Sequence, residues 1–95
     1  MKEYKLEELP DDIRDYVALS LKELEKRGIN LQRIKLFLMN YIPMRLQEIM
    51  SSSFENLEIL EALVVGNRLV LICTENEYES PFIAIYTKIL ERHET

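Results

Sequence analysis

Along the first third of the chain, apolar residues recur every three or four positions. In "PDDIRDYVALSLKELEKRG", Ile13, Tyr16, Val17, Ser20, Leu21 and Leu24 share one side of a 3.6-residue period. Asp11, Asp12 and Asp15 crowd the first turn, where carboxylates oppose the positive helix end. Lys26 and Arg27 suit the negative end, and Gly28 supplies a left-handed stop. This pattern predicts a helix from about residue 10 to 28. The next stretch, "LQRIKLFLMNYI", gathers Leu31, Ile34, Leu38, Tyr41 and Ile42 on one helical side, with Gln32, Arg33 and Asn40 opposite. As a strand it would be apolar on both faces from Ile34 to Tyr41 and would need a sheet covered on both sides. Its length favours a second helix. Pro43 fits the first turn of a third, and Leu46, Ile49, Met50 and Phe54 form that helix's stripe before three serines close it.

The period then changes. "LEILEALVVGNRLVLICTE" holds two apolar runs around Gly66-Asn67, a pair suited to a two-residue hairpin turn. That turn sets Val65 opposite Arg68, Val64 opposite Leu69 and Ala62 opposite Leu71. One face then carries Leu60, Ala62, Val64, Leu69, Leu71 and Cys73. The other carries Ile59, Glu61, Leu63, Val65, Arg68, Val70 and Ile72, and is still mostly apolar. A two-stranded ribbon cannot stand alone in water, so one face must lie on the helices. The second face, with Leu63, Val65, Val70 and Ile72, also requires cover, from the C-terminal segment or from a partner subunit. In "SPFIAIYTKILERHET", Ser80 and Pro81 resemble a helix start, and Phe82, Ile85, Tyr86, Ile89 and Leu90 share a helical face. The β-branched run argues for a strand, but the reading adopted is a C-terminal helix. The expected class is therefore α+β, one domain over residues 1–95: three N-terminal helices, an apolar β-hairpin and a C-terminal helix. Residues 1–9 read as a polar lead-in or an added edge segment.

Composition narrows the class. With 47% hydrophobic residues, two glycines and three prolines in 95 residues, the chain is neither disordered nor collagen-like. Its net charge is −5, and all of it lies in the second half: residues 1–50 hold nine Lys/Arg and nine Asp/Glu, residues 51–95 three and eight. An acidic chain repels phosphate at long range, which disfavours non-specific nucleic-acid binding. Abundant Glu, Lys, Ile and Leu against two Gln leans toward a heat-loving source. One cysteine cannot staple its own chain, and "MKEYKLEELPDD" has no apolar signal stretch, so a cytoplasmic setting is expected. No apolar run approaches the roughly 18 residues of a membrane span.

Chemistry-bearing residues are few. His93 is the lone histidine, near the end of the chain, with no group fixed nearby in sequence to activate it. Cys73 sits in the apolar run "RLVLIC" and reads as a core thiol. Glu75, Glu77 and Glu79 alternate in "ENEYE", but a calcium loop needs more oxygen ligands and a glycine turn, so they read as a solvated acidic connection. No cofactor, metal or catalytic residue is expected.

The order helix, helix, turn, helix, hairpin, helix resembles that of many winged-helix DNA-binding domains. That resemblance implies residues 43–53 as the recognition helix, with Arg45 and Gln47 as base readers and Lys26, Arg27, Arg33 and Lys35 as phosphate contacts. The chain departs from the pattern where Lys35, Leu36 and Phe37 replace a small residue and Asn40 stands where a glycine usually turns the chain. The leading expectation is instead a small non-enzymatic interaction or regulatory protein. It would act as a homodimeric adaptor or complex subunit with its interface at Leu63, Val65, Val70 and Ile72; the DNA-binding regulator is the alternative.

Overall fold

A computed structural model describes residues 2–44, 46, 57–77 and 80–90. The predicted first helix is present as α1, Asp11–Lys26. Ile13, Val17, Ser20 and Leu24 are buried on one side of it, and Tyr16 is largely exposed. Its end is a full Schellman motif: Gly28, at φ +86°, donates to Glu25 O at 3.0 Å and Ile29 donates to Leu24 O at 3.1 Å. A non-glycine residue at that φ would be strained.

The rest of the predicted helical order is corrected. Residues 31–42 do not form a helix: a short 3-10 turn at Leu31–Arg33 leads into strand β2, Lys35–Met39. The C-terminal segment is strand β5, Ser80–Ile89, rather than a helix. With them stand β1, Glu3–Tyr4, and the hairpin strands β3, Leu57–Val65, and β4, Arg68–Glu77. The five form one mixed sheet in the order β1-β2-β5-β4-β3. Only β2 and β5 run parallel; the other neighbours are antiparallel. The arrangement is α+β, but without the helices a winged-helix order requires. Of the expected third helix, Pro43 is not helical, Met44 and Leu46 have helical backbone, and residues 45 and 47–53 lie outside the described residues.

Both corrections have one physical cause. β2 and β5 are apolar on alternate and intervening positions alike, which suits a strand covered on both faces. On one face Leu36, Val70, Ile72, Ile83 and Ile85 pack with Ile13, Val17 and Leu24 of α1. On the other, Met39, Leu71, Cys73, Ala84 and Tyr86 pack with Leu46, flanked by Ile42, Phe37 and Phe82. The Phe37 and Phe82 rings meet edge-on at 5.5 Å. Pro81 is tolerated because the pairing of β5 with β2 begins one residue later, at Phe82.

The hairpin adopts the expected register, Val65 to Arg68, Val64 to Leu69 and Ala62 to Leu71, around Gly66 at φ +62°. A bulge between Ile59 and Glu61 then exchanges two residues between faces. Leu60 joins the α1 side and Ile59 the opposite side. The N-terminal residues do add an edge strand, and Leu9 behind them is buried. Arg14 ties that arm down, donating to Leu9 O at 2.9 Å and Glu7 O at 3.2 Å. Among the described residues, no helix is long and apolar enough to cross a membrane.

With β5 at the centre of the sheet, Ile85→Ala should lower unfolding free energy by about 2–5 kcal/mol, the usual range for an emptied aliphatic core site. Truncation after Glu79 should abolish cooperative unfolding altogether. Urea denaturation followed by far-UV circular dichroism checks both; a truncated chain with a sharp transition would show that β5 is dispensable.

Candidate interaction surface

β4 and β5 bring two polar side chains together inside the sheet. Glu75 is not in a solvated loop: it continues the face of Leu71 and Cys73, is only 7% exposed, and accepts a 2.7 Å hydrogen bond from the Tyr86 hydroxyl. The alternation Leu71, Cys73, Glu75 was the available signal, and the acidic run "ENEYE" masked it. Cys73 has no exposed surface, so an incoming substrate cannot reach its thiol. Among the described residues, no group of three or more His, Cys, Asp or Glu is placed to hold a metal ion. His93 and Glu79 lie outside the described residues. The Glu75–Tyr86 pair therefore satisfies polar groups inside the second face of the sheet.

Among the described residues, the surface that remains open lies along the other side of the hairpin. β3 is a nine-residue strand at the sheet edge. The opposite edge, β1, is only two residues long. α1 is fastened beside β3 at both ends. Arg68, opposite Val65 in the hairpin, pairs with Asp12. Arg27 pairs with Glu58 at 2.6 Å and with Glu23 at 3.6 Å. The hydrogen bond that Arg27 donates to the Glu58 carboxylate, with that group's negative charge, holds the Arg27 guanidinium pKa above its ordinary value. α1 thus runs antiparallel to β3, its first turn beside the hairpin tip and its last turn beside the start of β3.

Between them lies an open groove of about 510 Å³. Leu19, Ser20, Lys22, Glu23, Lys26 and Arg27 form its helical wall; Glu58, Ile59, Leu60 and Glu61 form the strand side. Six of these ten residues are charged, unlike the mainly apolar lining of small-molecule sites. Leu19, at 56% exposure, stands at its rim.

The sequence-derived site residues fall as follows. Val70 and Ile72 are completely buried beneath α1, and Leu63 and Val65 pack partly buried against the same cluster. The face formed by these four residues is thus covered by the chain's own helix, and the sequence argument that it needs a partner is removed. Lys26 and Arg27 sit at the end of α1 and Arg33 in the 3-10 turn. Lys35 alternates with Phe37 and Met39, on the sheet face opposite α1. The described cations therefore do not line one surface, and Arg27 is already engaged by two carboxylates. Arg45 and Gln47 lie outside the described residues. Sequence reasoning missed the groove, because it depends on which strand ends at the sheet edge.

Comparison with family models, curated proteins and solved structures gives no match for this chain.

Tyr86→Phe should cost about 1–3 kcal/mol of stability, since it withdraws a donor from a buried carboxyl group. Chemical denaturation of the two proteins measures it. A difference below about 0.5 kcal/mol would show that other groups meet the needs of Glu75 unaided.

Proposed function

We propose that the protein is a small non-enzymatic interaction or regulatory protein, an adaptor or subunit of a larger assembly, and that it docks through β3 and the adjoining groove. One observation carries this reading. Among the described residues, β3 is the long open edge of the sheet, and its distal part, Ala62–Val65, carries no charge to guard it. Natural proteins cover, shorten or charge such edges unless they use them. An extended segment can add to an open edge through main-chain hydrogen bonds, with neighbouring side chains supplying selectivity. The charged and apolar walls of the groove suit that second task. The nucleic-acid reading borrowed an element order that this fold lacks, and no observation favours it.

Capture from a native lysate tests the reading. Leu19→Glu alters the groove rim at an exposed position and should leave the melting temperature essentially unchanged. Wild-type bait should retain a specific protein, and the variant should retain about tenfold less of it, as expected when a contact residue becomes charged. Equal capture by both would place docking elsewhere, and no capture by either from a chain that is also monomeric would remove the interaction reading.

A further inference from the structure

The tight turn at Gly66-Asn67 makes Val65 and Arg68 a hydrogen-bonded pair. Along the ladder, Leu63 with Val70 and Glu61 with Ile72 are then hydrogen-bonded pairs as well. The backbone N–H and C=O groups of Ala62 and Val64 consequently point outward from the sheet edge. Their side chains are also exposed, that of Val64 leaving the residue 60% accessible. Beyond the bulge at Leu60 the facing of alternate residues reverses. A partner strand can therefore stay in step with β3 only over Glu61–Val65.

We propose that the occupant of this edge is a second copy of the chain, β3 against β3, antiparallel, with Leu63 facing the partner's Leu63 across a two-fold axis. In that register Glu61 lies opposite the partner's Val65 and Ala62 opposite the partner's Val64. Every opposed pair shares a face, and the outward backbone groups of Ala62 and Val64 find partners on both sides of the axis. A symmetric register centred on Glu61 would oppose two carboxylates. One centred on Ala62 would run into the bulge, and one centred on Val64 would use fewer rungs.

The helix supports the same axis independently. Its pairing of Asp12 with Arg68 and of Arg27 with Glu58 fixes its antiparallel course along β3. Tyr16, one turn in from the Asp12 anchor, and Leu19, midway between the two anchors, therefore stand level with Leu63 and Glu61. They are 41% and 56% exposed, although their side chains are large and apolar. The two-fold axis brings the two helices' exposed residues toward each other over one face of the seam, while Val64 and Ala62 meet over the other. Strand pairing by itself covers less than the roughly 1,200 Å² of a standard interface, and the facing helical stripes supply the additional area.

This inference rests on the interaction reading above and adds the identity of the occupant. Sedimentation equilibrium should show a wild-type dimer. Val64→Lys, which places an ammonium at the seam, should weaken dimerisation by about tenfold or more without lowering the melting temperature of the monomer. Native-state hydrogen exchange should find the Ala62 and Val64 amides protected in the wild type and exposed in the variant. Leu63→Cys should form a disulfide-linked dimer on mild oxidation, since opposed residues of a non-hydrogen-bonded pair lie close; Ala62→Cys should not. A wild-type monomer at all concentrations, or a dimer whose Ala62 and Val64 amides exchange freely, would overturn the proposal. If that monomer still captures a partner in a Leu19-sensitive way, the second copy is refuted and the interaction reading stands. If capture also ignores Leu19→Glu, both fall.

Discussion

Strand β5 is the element on which the others depend. It lies between β2 and β4, so both of its backbone edges are paired, and its side chains are buried on both faces from Ile83 to Thr87. A strand in that position needs two separate covers. α1 supplies one, through Ile13, Val17 and Leu24; the segment after β2 supplies another, through Ile42 and Leu46. Its buried Thr87 is absorbed as well, since the hydroxyl donates to Met39 O at 3.1 Å and so joins β5 to the end of β2. Apolar burial is the dominant favourable term in such a fold, and the fully buried Ile72, Ile83 and Ile85 each contribute about 1.5–3 kcal/mol to it before chain entropy is subtracted.

The two sheet edges are finished differently. β1 is short, and Lys2 lies over the Tyr4 ring at 4.8 Å, so little apolar backbone edge is offered there. β3 is guarded only in its first half, by Glu58, Glu61 and the bulge. Charges and bulges are common ways of blunting an edge. That both sit upstream of Ala62 leaves the hairpin end as the accessible part, and the ion pairs that hold α1 alongside it shape the groove. Exposed pairs of this kind add little to stability. Their role here is orientation: they set the helix antiparallel to the strand and bring Tyr16 and Leu19 to the level of the open edge.

The candidate surface was legible only in part. Surplus apolar character on the hairpin was evident from sequence, but it was assigned to the face that α1 covers. Leu63 and Val65 belong to the edge strand all the same; Val70 and Ile72 belong to the core. The open residues, Ala62 and Val64, stand on the face that the sequence pattern lays against helices. The acidic neighbours of Glu75 suggest a solvated side chain, whereas its alternation with Leu71 and Cys73 matches its burial. Charge in the immediate sequence was a poor guide to exposure there, because a strand sends adjacent residues to opposite faces.

The amino-acid sequence by itself determined the features whose causes lie within a few residues. α1 follows from its apolar period, its acidic first turn and Gly28; the hairpin register follows from Gly66-Asn67. Caps and tight turns are decided by local backbone geometry, so local sequence suffices. Tertiary structure decided residues 31–42 and 80–90. Both are short apolar runs with residues on every side, a pattern that a buried helix and a doubly covered strand share. What separates the two is whether cover arrives on both faces, and that cover comes from Ile13, Val17 and Leu46, distant in the chain. The identity of the open edge was decided in the same way, because an edge is the strand that no other strand reaches.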